Sequence, residues 1–418
     1  MRIAEQSHSE RSRRAQNDNK GPQSAFHNLQ LTNCLSRDIV QNFEVRERMP
    51  QEMTKTRVRR AKVDKDRLLA RLRRRIDLQD KEIVDLVNKR ARIVKEIGKL
   101  KRTASCPIYD PNREQEVYQK IRRHNRGPLP DQALEAIYRE LMSGSLALEK
   151  TIQVSYLGPP GTFTHMAALS KFGSSVTYVP VEDIEGIFVE AARGHVDYAV
   201  VPVENSTDGA VTDTLDMFTK YDVSICAELT LRVHHHLLSR FPREEIRRIY
   251  SRPQVFGQCR NWLASNMPHR ERLEVASTTR AAQLAGEEDG SAAIASAEAA
   301  EVYGLPIVCR SIEDSPSNVT RFLVIGKHLA RPTKNDKTSI MFSIKDRVGA
   351  LYDMLLPFKN HGINLTRIES RPSLRKAWDY YFFVDFLGHV DAVEVKKALG
   401  ELEKRCTYLK VLGSFPRA

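Results

Sequence analysis

Between Leu72 and Leu100 the residues met at alternating steps of four and three are Leu72, Ile76, Gln79, Ile83, Leu86, Arg90, Ile93, Ile97 and Leu100. This is a heptad seam, and it commits the segment to a long helix with an apolar stripe. A helix over 65–101 would be roughly 55 Å long at 1.5 Å per residue, longer than a small domain is wide. Such a stripe needs partners, a second subunit among them. Two polar residues, Gln79 and Arg90, interrupt the seam. A guanidinium on an apolar stripe is costly unless an anion meets it, and that anion is either a carboxylate of a neighbouring helix or a ligand.

The rest of the chain falls into units of different grammar. Residues 1–60 are polar, carry no sustained period and read as a disordered basic extension. A second helix starts at Pro111 behind Asp110 and is broken by Gly127-Pro128-Leu129-Pro130, and a third spans Asp131 to Glu149. Residues 61–150 are therefore an all-α three-helix unit. From Thr151 short β-rich runs (IQVSYLG, VTYVPV, YAVVPVE, VSICAELTL, IRRIYS, SAAIAS, TRFLVIG) alternate with helical stretches, which gives an α/β unit over 151–328. After the linker RPTKNDK, residues 336–418 read β-α-β-β-α-β, the ferredoxin-like α+β arrangement.

Charge and cysteines narrow the function classes. The net charge of +13 is concentrated at one end: 27 Lys and Arg against 15 Asp and Glu up to residue 110, leaving 39 against 38 beyond it. A basic end could bind a polyanion, and it could equally serve a small dianionic substrate or be a solvated helix face; a nucleic-acid role is the least favoured of these. No stretch approaches the roughly 18 apolar residues of a membrane span, and the N-terminus lacks the apolar core of an export signal. A cytoplasmic protein is expected. The six cysteines (34, 106, 226, 259, 309, 406) form no CxxC pair, so neither a metal nor a disulfide framework is implied.

Arg73, Arg90, Lys101, Asp110, Arg113, Glu114, Ser145 and Glu149 have the types and spacings of a helical chorismate mutase site, and LRRRIDLQDKEIVDLVNKRARIVKEIGKLK with YDPNREQEV and SGSLALEK resembles that family. Chorismate is a dicarboxylate that rearranges by a pericyclic shift. It needs a compact conformer and stabilisation of charge growing on the ether oxygen, not a nucleophile. The resemblance implies that Arg73 of a neighbouring subunit and Arg90 grip the carboxylates and that Lys101 and Glu149 address the ether oxygen. Asp110 and Glu114 would hold the ring hydroxyl or position Arg113.

In the α/β unit, YLGPPGTFTHMAA, VPVENSTDGAV, YSRPQVFGQC, STTRAA, AAIASAEAAEVYGL and NVTRFLVIG occur in that order and resemble the prephenate dehydratases, whose two lobes are built like a type II periplasmic binding protein. The resemblance makes Thr320 the donor to the departing hydroxyl and Arg321 a support for a carboxylate, with Asn205, Ser206, Ser251, Gln258 and Thr162 lining the cleft. Arg252 stands where many relatives have His. His234, His235 and His236 lie in a strand-like run whose side chains alternate, which disfavours a shared metal. No cofactor or metal is implied.

In the last unit Gly349, Ala350 and Leu351, with Glu369, Ser370, Arg371 and Pro372, resemble the effector-contacting segments of an ACT-type domain that senses phenylalanine. The whole then resembles a fused enzyme of phenylalanine biosynthesis. It would act as a homodimer or higher homo-oligomer, turn chorismate into prephenate and prephenate into phenylpyruvate, and be inhibited by phenylalanine. Arogenate as the dehydrated substrate, and a non-catalytic ligand-binding regulator, are the competing readings.

One departure yields a test. Many mutase relatives have Gln where Glu149 stands, and a carboxylate facing an oxygen that gains negative charge must be protonated to donate to it. Mutase activity is expected to rise toward acidic pH, and Glu149→Gln to flatten that rise; a pH profile untouched by the substitution would remove Glu149 from the ether oxygen.

Overall fold

The computed structural model describes residues 51–103, 109–345, 347–373 and 380–418, with side chains of the first helix from Lys62 to Lys101. The extension before residue 51, Cys34 and Cys106 lie outside the described residues. Helix α1 (Gln51–Thr103) begins well before the heptad seam, so residues 51–60, expected to be disordered, are helical. Along it Leu72, Ile76, Ile83, Leu86, Ile93 and Ile97 are each between 41 and 63% exposed in the single chain. The portion up to Glu82 is a compact unit of its own, and the following description concerns Ile83 to the C-terminus.

Helix α2 (Pro111–His124) is capped by Asp110, whose carboxylate accepts from the Asn112 and Arg113 N–H groups, and its last turn carries Arg122, Arg123 and His124 against the negative helix end. Helix α3 (Asp131–Glu149) follows the Pro-rich break. The three-helix reading holds for this part of the chain.

The next unit has two lobes. In the first, β1 (Gln153–Leu157), α4 (Phe163–Phe172), β2 (Thr177–Val181), α5 (Ile184–Arg193) and β3 (Tyr198–Asn205) alternate, and the three strands are parallel in the order β2-β1-β3. A two-residue β4 (Gly209–Ala210), α6 (Thr212–Lys220) and β5 (Ser224–Arg232) complete the outward leg. The second lobe holds β6 (His236–Leu238), β7 (Arg248–Ser251), α7 (Pro253–Gln258), α8 (Arg260–Asn266), β8 (Glu271–Glu274), α9 (Thr278–Glu287), β9 (Ser291–Ala295), α10 (Ala297–Val302) and β10 (Ile307–Cys309), with strand order β10-β6-β9-β7-β8. The chain then returns as β11 (Val319–Gly326), which lies antiparallel between β3 and β5 in the first lobe. Central strands such as β9, Ser-Ala-Ala-Ile-Ala, are buried throughout, as strands covered on both faces must be. Sequence reading finds neither β8, which is Glu-Arg-Leu-Glu and mostly exposed, nor the three-residue β10, because neither carries an apolar period.

The C-terminal unit is β12 (Asp336–Ser343), α11 (Ala350–Asn360), β13 (Leu365–Pro372), β14 (Tyr380–Leu387), α12 (Val393–Glu403) and β15 (Tyr408–Pro416), in sheet order β13-β14-β12-β15. One face buries Ile340, Phe342, Val384 and Phe386 under Met354, Phe358, Val395 and Leu402 of the two helices. The other face sends Met341, Tyr381, Phe383, Leu412 and Phe415 into the core that contains Leu215, Phe218, Ile225, Leu323 and Ile325 of the first lobe. The approach is closest at Gly413, where an added Cβ would lie 2.2 Å from the Ile225 carbonyl oxygen. Since backbone is the obstacle, Gly413→Ala is expected to lower unfolding stability by about 1–3 kcal/mol through overpacking; a melting temperature equal to that of the unsubstituted protein would show that the two sheets part freely there.

Candidate active sites

The first site is a cavity of about 420 Å³ walled by the second half of α1, by α2 and α3, and by the end of α4. Arg90, Lys101, Asp110, Arg113, Glu114, Ser145 and Glu149 all line it. Seven of the eight residues expected from the sequence are thus gathered; the eighth, Arg73, is exposed on α1 before Glu82. Arg90 Nη1 donates to Ser145 Oγ at 2.8 Å, and that hydroxyl in turn donates to the Leu141 carbonyl at 2.6 Å. Among the described residues no carboxylate lies within 4.0 Å of the Arg90 guanidinium. A hydroxyl steadies the cation without neutralising it, so the rest of the fork remains available to an anion in the cavity.

Across the cavity Lys101 Nζ stands 3.6 Å from Glu149 Oε2, whose side chain is 5% exposed. Glu114 is held by three donors: Tyr109 Oη at 2.7 Å, Tyr118 Oη at 3.3 Å and Lys171 Nζ at 2.7 Å. Burial and the adjacent carboxylate push the Tyr109 hydroxyl well above the usual phenol range, so it stays a donor. Asp110 is partly committed as the α2 cap, and it meets Arg113 through that residue's backbone N–H. The Arg113 guanidinium sits at the rim, bonded to Glu116 at 2.8 Å. Sequence reading missed Tyr109, Arg139, Lys171 and Phe172 in the lining, the last two because they come from the next folding unit.

The second site lies where β11 and β3 meet α7 of the second lobe. Asn205 Oδ1 accepts from the Thr207 and Asp208 N–H groups at 2.8 and 3.0 Å, which fixes the amide orientation. Its Nδ2 donates to Thr320 Oγ1 and to Asn318 Oδ1, both at 2.8 Å. With a lone pair of Thr320 engaged in this way, its own hydroxyl proton is left to point elsewhere. Asn318 donates to Gln258 Oε1 at 3.1 Å, His235 Nε2 meets the same oxygen at 2.7 Å, and Gln258 Nε2 donates to Asp208 at 2.9 Å. Burial lowers the His235 pKa below its ordinary value, so the ring is neutral near pH 7 and serves as the donor in that contact. Asn318 and Asp208 were not singled out in the sequence, although both stand inside the motifs quoted there, and His235 was weighed there only as a metal ligand and not as a cleft residue.

Three expected lining residues are spent on the fold. Ser251 is fully buried and donates to the Ile294 carbonyl. Thr162 caps α4 and donates to the Leu157 carbonyl. Ser206 is closed in a pair of bonds with Ser317 and Val319. Each hydroxyl sits at a strand or helix end, where backbone groups compete for it.

Comparison with known proteins matches this division of labour. The family model for chorismate mutase type II covers residues 72–150, that for prephenate dehydratase 154–330, and that for the ACT domain 338–404. The bifunctional chorismate mutase/prephenate dehydratase of Aquifex aeolicus is 49% identical over 355 residues, 84% of this chain and 98% of that protein. This chain belongs to the bifunctional chorismate mutase/prephenate dehydratase family. Among solved structures, a prephenate dehydratase from Arthrobacter aurescens in complex with L-Phe has a TM-score of 0.60 at 32% identity, covering 64% of this chain and 90% of that one. A protein described as a quorum quenching acylase has a TM-score of 0.59 at 27% identity, covering 64% and 98%.

In the ACT unit of this family member, Gly349, Ala350 and Leu351 line a second cavity of about 420 Å³ with Ile344, Arg347, Tyr352, Tyr380 and Phe382. Gly349 has φ +77, a conformation that favours glycine. Strand alternation divides the other expected effector segment. Ser370 pairs with Phe382 and Pro372 with Tyr380, so both share the face of the cavity. Glu369 and Arg371 face the opposite way, and Arg371 grips Asp216 of α6 through Nε at 3.1 Å and Nη2 at 2.8 Å. Arg321 is also reassigned. Consecutive with Thr320, it emerges on the other face of β11 and binds Glu228 of β5 at 2.8 Å and Asp385 of β14 at 2.6 Å. It ties the dehydratase sheet to the ACT sheet and is turned away from the cleft.

Proposed function

We propose that this chain converts chorismate to prephenate in the helical cavity and prephenate to phenylpyruvate in the two-lobed cleft, with phenylalanine bound by the ACT unit as a feedback inhibitor. The observation that carries the reading is the Arg90 guanidinium, steadied by a hydroxyl and faced by no described carboxylate, beside a cavity that Lys101 and Arg113 also line. A small dicarboxylate supplies the missing charge. Arg90 holds one carboxylate and Lys101 addresses the ether oxygen, with Glu149 beside it. As the ether C–O bond breaks and the new C–C bond forms, the growing negative charge on oxygen meets fixed donors, and little reorganisation is needed.

In the cleft, Thr320 donates its hydroxyl proton toward the ring hydroxyl that leaves. The ring C–O bond breaks, the electrons of the C–carboxylate bond flow into the ring, and carbon dioxide departs while the hydroxide leaves as water with the Thr320 proton, which solvent then replaces. Aromatisation drives the step, so no metal or strong base is required of the protein. Asn205 sets the direction of Thr320, and Gln258, through Asn318, carries the second lobe to the same point. The uncovered seam of α1 supports a homodimer or a higher homo-oligomer, in which Arg73 enters the neighbouring cavity. No described helix is long and apolar enough to cross a membrane.

Assaying each substrate separately tests both halves. Arg90→Ala is expected to lower kcat/KM for chorismate by about 10³-fold or more and Thr320→Ala to lower it for prephenate by about 10²- to 10³-fold. Each variant should leave the other reaction within about twofold. Retention of the prephenate reaction by Thr320→Ala would move the donor to another residue.

A further inference from the structure

Glu114 is 8% exposed, and a carboxylate so placed must be compensated by charge or by donors. Two of its donors, Tyr109 and Tyr118, belong to the mutase unit. The third does not. Lys171 is the penultimate residue of α4, a dehydratase helix, yet its ammonium lies 2.7 Å from Glu114 Oε2 with only 13% of its side chain exposed. It also stands 5.9 Å from the centre of the Tyr109 ring, on the same phenol that donates to Glu114. Phe172 follows it into the cavity wall and packs on Tyr109 at 5.0 Å between ring centres.

The junction around this contact is tight. Asn112 donates to the Arg331 carbonyl, Glu140 accepts from the backbone and side chain of Ser174 at 2.9 and 2.7 Å, and Ser143 Oγ accepts from the Ser175 N–H at 3.0 Å. Lys171 is therefore placed on Glu114 by packing on both sides of the unit boundary, not by a flexible reach across solvent. Lys171 and Tyr109 both bond Oε2, whereas among the described residues Oε1 receives only the longer Tyr118 bond, which leaves Oε1 the better acceptor for a ligand hydroxyl.

We propose that Lys171 is a positioning residue of the mutase site: contributed by the dehydratase unit, it locks the Glu114 carboxylate with Oε1 turned to the ring hydroxyl of chorismate. The mutase cavity is then incomplete without the next domain. This rests on the reading that the helical cavity is the mutase site, with Glu114 facing that hydroxyl.

The test uses the full chain and a double-substitution cycle of Lys171→Met and Glu114→Gln, with Lys171→Arg as the conservative variant and Arg90→Ala as the control for the site itself. Chorismate consumption and, separately, phenylpyruvate formation from prephenate are measured. Lys171→Met is expected to lower mutase kcat/KM by about 10- to 30-fold, mostly in kcat, and to leave the prephenate reaction within about twofold. Lys171→Arg should recover most of the loss. On the Glu114→Gln background Lys171→Met should add less than about twofold, because its partner is gone. The proposal is overturned if Lys171→Met leaves mutase kinetics unchanged, or if it costs the same factor with and without Glu114. Should Lys171→Met abolish both reactions through misfolding, Lys171→Arg decides: recovery of both supports the proposal, and recovery of the prephenate reaction alone overturns it. An Arg90→Ala protein that still consumes chorismate at full rate would sink the reading of the cavity, and Lys171 with it.

Discussion

Two antiparallel strands running through the middle of a sheet present alternate residues to opposite faces, and in this protein that alternation sets the cleft and the contact with the ACT sheet back to back. Thr320 and Asn205 are register partners on β11 and β3, and so are their neighbours Arg321 and Glu204. The first pair is hydrogen-bonded on the cleft side. The second lies on the side where the ACT sheet packs: Arg321 binds Asp385, Lys337 shares Glu228 with it at 2.8 Å, and Arg367 approaches Glu204 at 3.4 Å. A displacement of the ACT sheet that pulls on Arg321 pulls on the residue bonded to it in the chain, which is Thr320. The cluster is largely buried, so its ion pairs are geometrically demanding and costly to break singly. It is the route we propose between the cavity on the far face of the ACT sheet and the cleft.

The mutase unit is joined just as closely. Tyr109 sits in a core shared with Phe172 and Tyr198, and α4 has a residue for each site near its ends. At its start Phe163 packs edge-on against His235, the imidazole that bonds Gln258. Near its end Lys171 bonds Glu114. A rigid helix of ten residues therefore touches both sites at once, which ties the geometry of one to the integrity of the other.

The fold was legible wherever a period was strong. The seam from Leu72 to Leu100, the capped start at Asp110-Pro111 and the β-α-β-β-α-β run after residue 336 each carry their own signature, and each appears where it was read. Short or polar strands such as β8 and β10 carry none, since tertiary pairing makes them strands. Site residues were legible by type but not by direction. Ser251, Thr162 and Ser206 look like ligand-facing hydroxyls in sequence, yet local backbone groups claim them. Arg321, Glu369 and Arg371 look like ligand groups, yet strand alternation turns them toward another domain. Lys171 was invisible because its role depends on how two separately patterned units dock.

Two chemistries are assigned to separate places on one chain, the first beginning at a cation set in an apolar seam. The most direct test follows phenylpyruvate formation from chorismate by Arg90→Ala and Thr320→Ala proteins, each alone and then mixed. Neither protein alone should make phenylpyruvate at an appreciable rate, and the mixture should make it after a lag in which prephenate accumulates. Phenylpyruvate from either variant by itself at the unsubstituted rate, or a mixture that stays silent while both proteins remain folded, would contradict the account.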